Sequence, residues 1–96
     1  MITHIKGQGI KYLWPGEEGI IIDYDSTATA SECCVKCLLN NRCGAASWVK
    51  TACVGYGIPP GRTCNPRAQW VSFGLGGPET EFTLINTNCG RWGPGS

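Results

Sequence analysis

The sequence predicts an α+β fold: one α-helix, at about residues 30–40, packed on a small, mostly antiparallel β-sheet within one disulfide-linked domain. Three observations carry this. One stretch alone combines helical periodicity with a cap. Several short β-branched runs are separated by turn residues, in a chain with 14 glycines and 6 prolines among 96 residues. Seven cysteines are available to cross-link a core that a chain of this length fills only in part. Hydrophobic residues make up 42% of the chain, with four tryptophans, which is too much burial-capable surface for a disordered segment.

Residues 2–16 are mixed, with Tyr12, Leu13 and Trp14 leading into a Pro15-Gly16 turn signal. Residues 19–24 are rich in isoleucine and read as a strand, which ends in the polar Asp23-Tyr24-Asp25-Ser26 stretch, where Asp25 suits the opening of a turn. The helix follows. Thr29-x-x-Glu32 has the spacing of a capping box, and Ala30, Cys33, Cys34, Cys37 and Leu38 recur as a buried stripe. Asn40-Asn41 offers a left-handed stop. Residues 45–50 and 52–55 read as two short strands joined tightly. A proline- and glycine-rich loop over 58–66 carries Cys64. A strand is expected over 69–75, a turn at Gly76-Gly77-Pro78, and a last strand over 81–86 with Phe82 and Leu84 on one face. No internal repeat or second domain is visible, so residues 1–96 are read as one domain with its core over about 18–90.

Several function classes are disfavoured. A formal charge of +1 supplies no basic field for non-specific nucleic-acid binding. The longest apolar run, Gly19-Ile20-Ile21-Ile22, is strand-sized and far from the ~20 residues needed to span a bilayer. Structural zinc wants two Cys-x-x-Cys-like pairs, or one pair with two histidines, yet Cys34-x-x-Cys37 is the only such pair and His4 the only histidine. Disulfides are therefore expected rather than a metal, and with them an oxidising, extracellular setting. Met1-Ile2-Thr3-His4 lacks the basic and then apolar start of a secretory signal. The expectation is a mature secreted chain to which Met1 and the Gly93-Pro94-Gly95-Ser96 end were added. His4 has no orienting partner in sight for nucleophilic catalysis. The acidic pairs Glu17-Glu18, Asp23/Asp25 and Glu79/Glu81 sit at turns or strand edges, where solvated charge is ordinary. No phosphate-cradling glycine motif occurs. The chain is read as no enzyme and as needing no cofactor.

The segment from Thr29 to Cys53 resembles the PAN/apple family. The resemblance rests on Cys33-x3-Cys37-x5-Cys43-x9-Cys53, the capped Thr29-Ala30-Ser31-Glu32 start, and the Cys43-Gly44-Ala45-Ala46-Ser47-Trp48 run. The doubled Cys33-Cys34 and the Asn86-Thr87-Asn88-Cys89-Gly90 tail are similar to small secreted apple-like proteins of filamentous fungi. The match covers about residues 18–90. It implies Cys33 paired with Cys53 and Cys37 with Cys43, and leaves Cys64 and Cys89 to close the long loop onto the C-terminal strand. Helix geometry fits this, since residues four apart point from one face toward other segments. The family's extra cysteine ahead of the first strand is missing here, so Cys34 has no evident partner. It is a buried thiol, a bond to another chain, or a replacement for Cys33 in its pairing.

The resemblance implies a non-catalytic module that recognises an extracellular protein or glycan, in adhesion, host interaction or as an effector. Candidate contacts are Tyr56, in a Gly-Tyr-Gly turn, with Arg62, Arg67 and Trp70 around the long loop; Trp14 and Trp92 are also uncommitted, while Trp48 is expected in the core. Thirteen residues separate Tyr56 from Trp70, a length at which loops are often functional. Two other readings stand beside this one. The chain could self-associate as a structural subunit through sheet edges or Cys34, or could present the Ile58-Pro59-Pro60-Gly61-Arg62 segment as an enzyme inhibitor.

Overall fold

Helix α1 (Ala30–Leu38) starts where its cap residues dictate. In the computed structural model, which describes the backbone of residues 2–5, 10–14, 19–75 and 82–94 and the side chains of 19–74 and 83–93, the Thr29 hydroxyl accepts the Glu32 amide at 3.2 Å. The Glu32 carboxylate in turn accepts the Ala28 amide at 3.3 Å. Cys33, Cys34 and Cys37 face the core, but Leu38 is 41% exposed. The expected stripe is thus narrower than its periodicity suggested: Cys33, Cys34 and Cys37 are its buried members, while Ala30 is half-buried. The helix does not end in a left-handed residue. Leu39 stays right-handed, and Asn40 takes over through its side chain, accepting the Arg42 amide at 3.0 Å in an Asx turn.

Around the helix the described residues form eight strands: β1 (Ile2–Ile5), β2 (Ile10–Trp14), β3 (Ile20–Ser26), β4 (Cys43–Val49), β5 (Ala52–Gly57), β6 (Gln69–Leu75), β7 (Phe82–Asn86) and β8 (Arg91–Pro94). The expected sheet is present and is joined by another. A five-stranded sheet runs β1-β7-β4-β5-β3, and a three-stranded one runs β2-β6-β8. All pairs are antiparallel except β6 with β8. β4 and β5 join through Lys50 and Thr51, both at positive φ (47° and 68°), as a two-residue primed turn needs to match strand twist. In β3, Asp25 also turns left-handed (φ 61°), its amide held by the Asp23 carboxylate at 2.8 Å, and the ladder slips there. Asp25 therefore opens a bulge within a strand rather than a terminal turn. The Pro15-Gly16 and Gly76-Gly77-Pro78 turn signals, the Glu17-Glu18 and Glu79/Glu81 pairs, and the side chains of His4, Trp14 and Phe82 lie outside the described residues.

The central strand β4 has core on both faces. Ala46 faces the helix with Cys53 and Ile85, while Ala45 faces the small sheet with Tyr56, Val71, Leu84 and Trp92. The result is three layers, helix on sheet on sheet. Cys33–Cys53 and Cys37–Cys43 tie the helix to β5 and β4, and a third disulfide, Cys64–Cys89, joins the loop before β6 to the turn before β8. Three bridges in so small a domain suit an oxidising, extracellular setting. Cys34 lies outside these bridges and is 1% exposed under the helix. From there its thiol does not reach another chain while the helix is packed. No helix among the described residues is long and apolar enough to cross a membrane.

Candidate functional site

Helix α1 and strand β5 run toward the same end of the molecule. Gly57 is opposite both Ile20 and Cys43, so β5 finishes beside the residues that follow the helix. There the Ile58 amide donates to the Arg42 carbonyl at 2.8 Å, and the Arg42 guanidinium donates to the Ile58 carbonyl at 3.0 Å. The turn between β7 and β8 arrives at this end too, where the Thr87 hydroxyl donates to the Gly44 carbonyl at 3.0 Å. Three segments thus converge: the helix end over 38–42, the loop over 58–68 and the turn over 87–90. Cys37–Cys43 fixes the first, and Cys64–Cys89 ties the second to the third.

The loop is built from short turns rather than from slack chain. Pro59-Pro60-Gly61-Arg62 closes with the Arg62 amide on the Pro59 carbonyl at 3.1 Å, and Gly61 has φ 80°. That is a type II turn, whose third position needs glycine. At Asn65-Pro66-Arg67-Ala68 the Ala68 amide donates to the Asn65 carbonyl at 3.0 Å, and the Arg67 amide donates to the Asn65 side chain at 3.0 Å. Arg62 and Arg67 are both exposed on these turns. Beneath them the half-buried Trp70 indole donates to the Cys89 carbonyl at 2.6 Å, and the Asn65 amide shares that carbonyl at 3.3 Å. Gly90 makes room for this ring, since a β-carbon there would collide with the indole.

Charge gathers at this end. All four arginines, Arg42, Arg62, Arg67 and Arg91, border the three segments, and all are exposed. None pairs with a carboxylate among the described residues. Asp23, Asp25 and Glu32 lie toward the other end, where Asp23 is opposite Val54, Ser26 is opposite Ala52, and the Thr27 amide donates to the Thr51 carbonyl at 2.9 Å. At the same end is an open cleft of about 170 Å³ lined by Leu38, Asn40, Asn41, Thr87 and Asn88 together with Cys37, Cys43 and Cys89. Asn41 and Asn88 are exposed amides with no hydrogen-bond partner among the described residues.

Of the four expected contact residues, Arg62, Arg67 and Trp70 come together here, with Trp70 as support rather than open platform. Tyr56 does not join them. It lies in β5 instead of a turn, 6% exposed, with its hydroxyl 3.1 Å from the Ser47 hydroxyl and its ring against Trp92 at 5.1 Å. Burial raises its pKa, the Ser47 hydrogen bond opposing in part. Trp92 is core as well, its indole donating to the Ala46 carbonyl at 2.8 Å. The half-buried Trp48 donates to the Thr27 carbonyl at 3.2 Å. Sequence reasoning missed Arg42, Arg91, Asn41 and Asn88. The signal was there: each arginine falls within three residues of Cys43, Cys64 or Cys89. Among the described residues no three His, Cys, Asp or Glu side chains converge to hold a metal ion. No protein-family model, curated protein or solved structure matches the chain.

Proposed function

We propose that the chain is a secreted, non-catalytic interaction module with an apple-like fold that recognises an extracellular protein or glycan through its loop end, in adhesion or host interaction. The observation that carries this reading is the set of four exposed arginines, without carboxylate partners among the described residues, on or beside turns held by two disulfides. A rigid frame lowers the ordering cost of binding, and guanidinium groups recognise anions through paired donors. The test compares the parent with an R62Q/R67Q variant on glycan arrays and immobilised extracellular proteins. A ligand held by the parent and lost by the variant supports the loop end; a ligand held equally by both overturns it.

A second reading, self-association in a surface layer or fibre, draws on strand β3. It is an edge strand among the described residues, with Ile20 44% and Ile21 56% exposed, a pairing template of the kind proteins usually blunt. Light scattering after size exclusion separates the two: a monomer at high concentration removes the structural subunit.

A further inference from the structure

We infer that the ligand of the loop end is a carbohydrate chain bearing acid groups, uronate carboxylates or sulfate esters. The inference rests on the loop-end reading above and narrows its ligand class. Two kinds of recognition chemistry lie side by side there. Arg42, Arg62, Arg67 and Arg91 supply forked cationic donors that match carboxylate and sulfate oxygens. The 170 Å³ cleft at this end has no charged residue in its lining, where Asn41, Thr87 and Asn88 join Leu38. Carboxamides both donate and accept, as the hydroxyls of a sugar do, and Leu38 gives an apolar surface for the C–H face of a ring. The Thr87 hydroxyl is already held between the Gly44 carbonyl and the Cys89 amide, so the Asn41 and Asn88 amides are the cleft's adaptable partners. An acidic peptide would use the arginines but has no polyol for the amides. A neutral glycan would use the amides and leave the arginines idle. An acidic glycan engages both.

Distributed arginines also suit a repeating anion better than a single one. They belong to three separate segments that meet at this end: the helix end, the loop and the β8 start. A polymer with an acid group on successive sugars can meet several at once, each contact adding to the residence time of the rest.

Calorimetric titration of the whole protein with polygalacturonate, dextran sulfate, neutral dextran and polyglutamate tests this. Polygalacturonate or dextran sulfate should bind and the other two should not, the better of the first pair identifying carboxylate or sulfate as the acid group. R62Q/R67Q should weaken the acidic glycan about tenfold per arginine, and N41A/N88A should weaken it several-fold. All four side chains are exposed, so these variants keep the fold, which disulfide mapping and circular dichroism verify. Polyglutamate binding as tightly as polygalacturonate would assign an acidic protein partner and overturn the glycan. Failure of every acidic polymer, together with some other ligand lost in R62Q/R67Q, overturns this inference and leaves the loop-end reading standing. A ligand retained by R62Q/R67Q removes the loop-end reading itself.

Discussion

Two titratable side chains, Tyr56 and Cys34, lie in the core, and burial raises the pKa of each. Each stays protonated in the fold at a pH where the unfolded chain has begun to ionise. Their contribution is therefore complete below the unfolded values, about 8.5 for cysteine and 10 for tyrosine, and is lost as pH rises through the higher folded ones. Denaturant midpoints measured from pH 8 to 11 should fall, and Tyr56→Phe should make the upper part of that fall shallower. The same burial makes Cys34 chemically quiet. Titration with a thiol reagent should find no reactive group in the native protein and one per chain after denaturation without reductant. At this scale Cys34 was legible, because a helical stripe places it. Tyr56 was not. Gly55 beside it looks like a turn signal, yet it is there because a β-carbon would press on the Tyr24 ring, 2.6 Å away. Close approach and turning use the same residue, and one sequence does not separate them.

Hairpin β4–β5 places its strain in one spot. Thr51 is β-branched and left-handed, a conformation that costs an L-residue roughly 1–2 kcal/mol, against roughly 0.5–1 for the added freedom of glycine. Thr51→Gly should therefore stabilise the protein by about 0.5–1 kcal/mol in urea melts, the Thr27 amide keeping its bond to the residue 51 carbonyl. The helix was readable at its start, where the Thr29 and Glu32 side chains do the capping locally. Its end was not, because Asn40 has two ways to stop a helix and the Arg42 amide selects the side-chain one. β8 was missed for a related reason. Arg91–Pro94 includes glycine and proline, and becomes a strand only through parallel pairing with β6 and the burial of Trp92 between layers. Such distant partners leave no local period to read.

Across the whole molecule, the helix-on-sheet layer was legible from one amphipathic element and its neighbours, whereas the small sheet and the arginine-rich end were not. Both depend on residues far apart in sequence, as when Arg42 meets Ile58 and Thr87 meets Gly44. Charge totals hid the rest, since a net +1 sums this basic end with acids such as Asp23, Asp25 and Glu32 toward the other end. The order of the cross-links has a consequence of its own. Cys37–Cys43 nests inside Cys33–Cys53, and Cys64–Cys89 follows after both, so no bridge passes over residues 54–63. A protease that cuts after Arg62 should give two fragments with no covalent tie, held together only by pairing such as β4 with β7. A cut after Arg67, on the other side of Cys64, leaves the pieces joined. Limited tryptic digestion on a non-reducing gel should distinguish the two nicks: separation for the first, an undivided band for the second. A few residues of exposed loop therefore decide whether a single proteolytic event leaves one molecule or two.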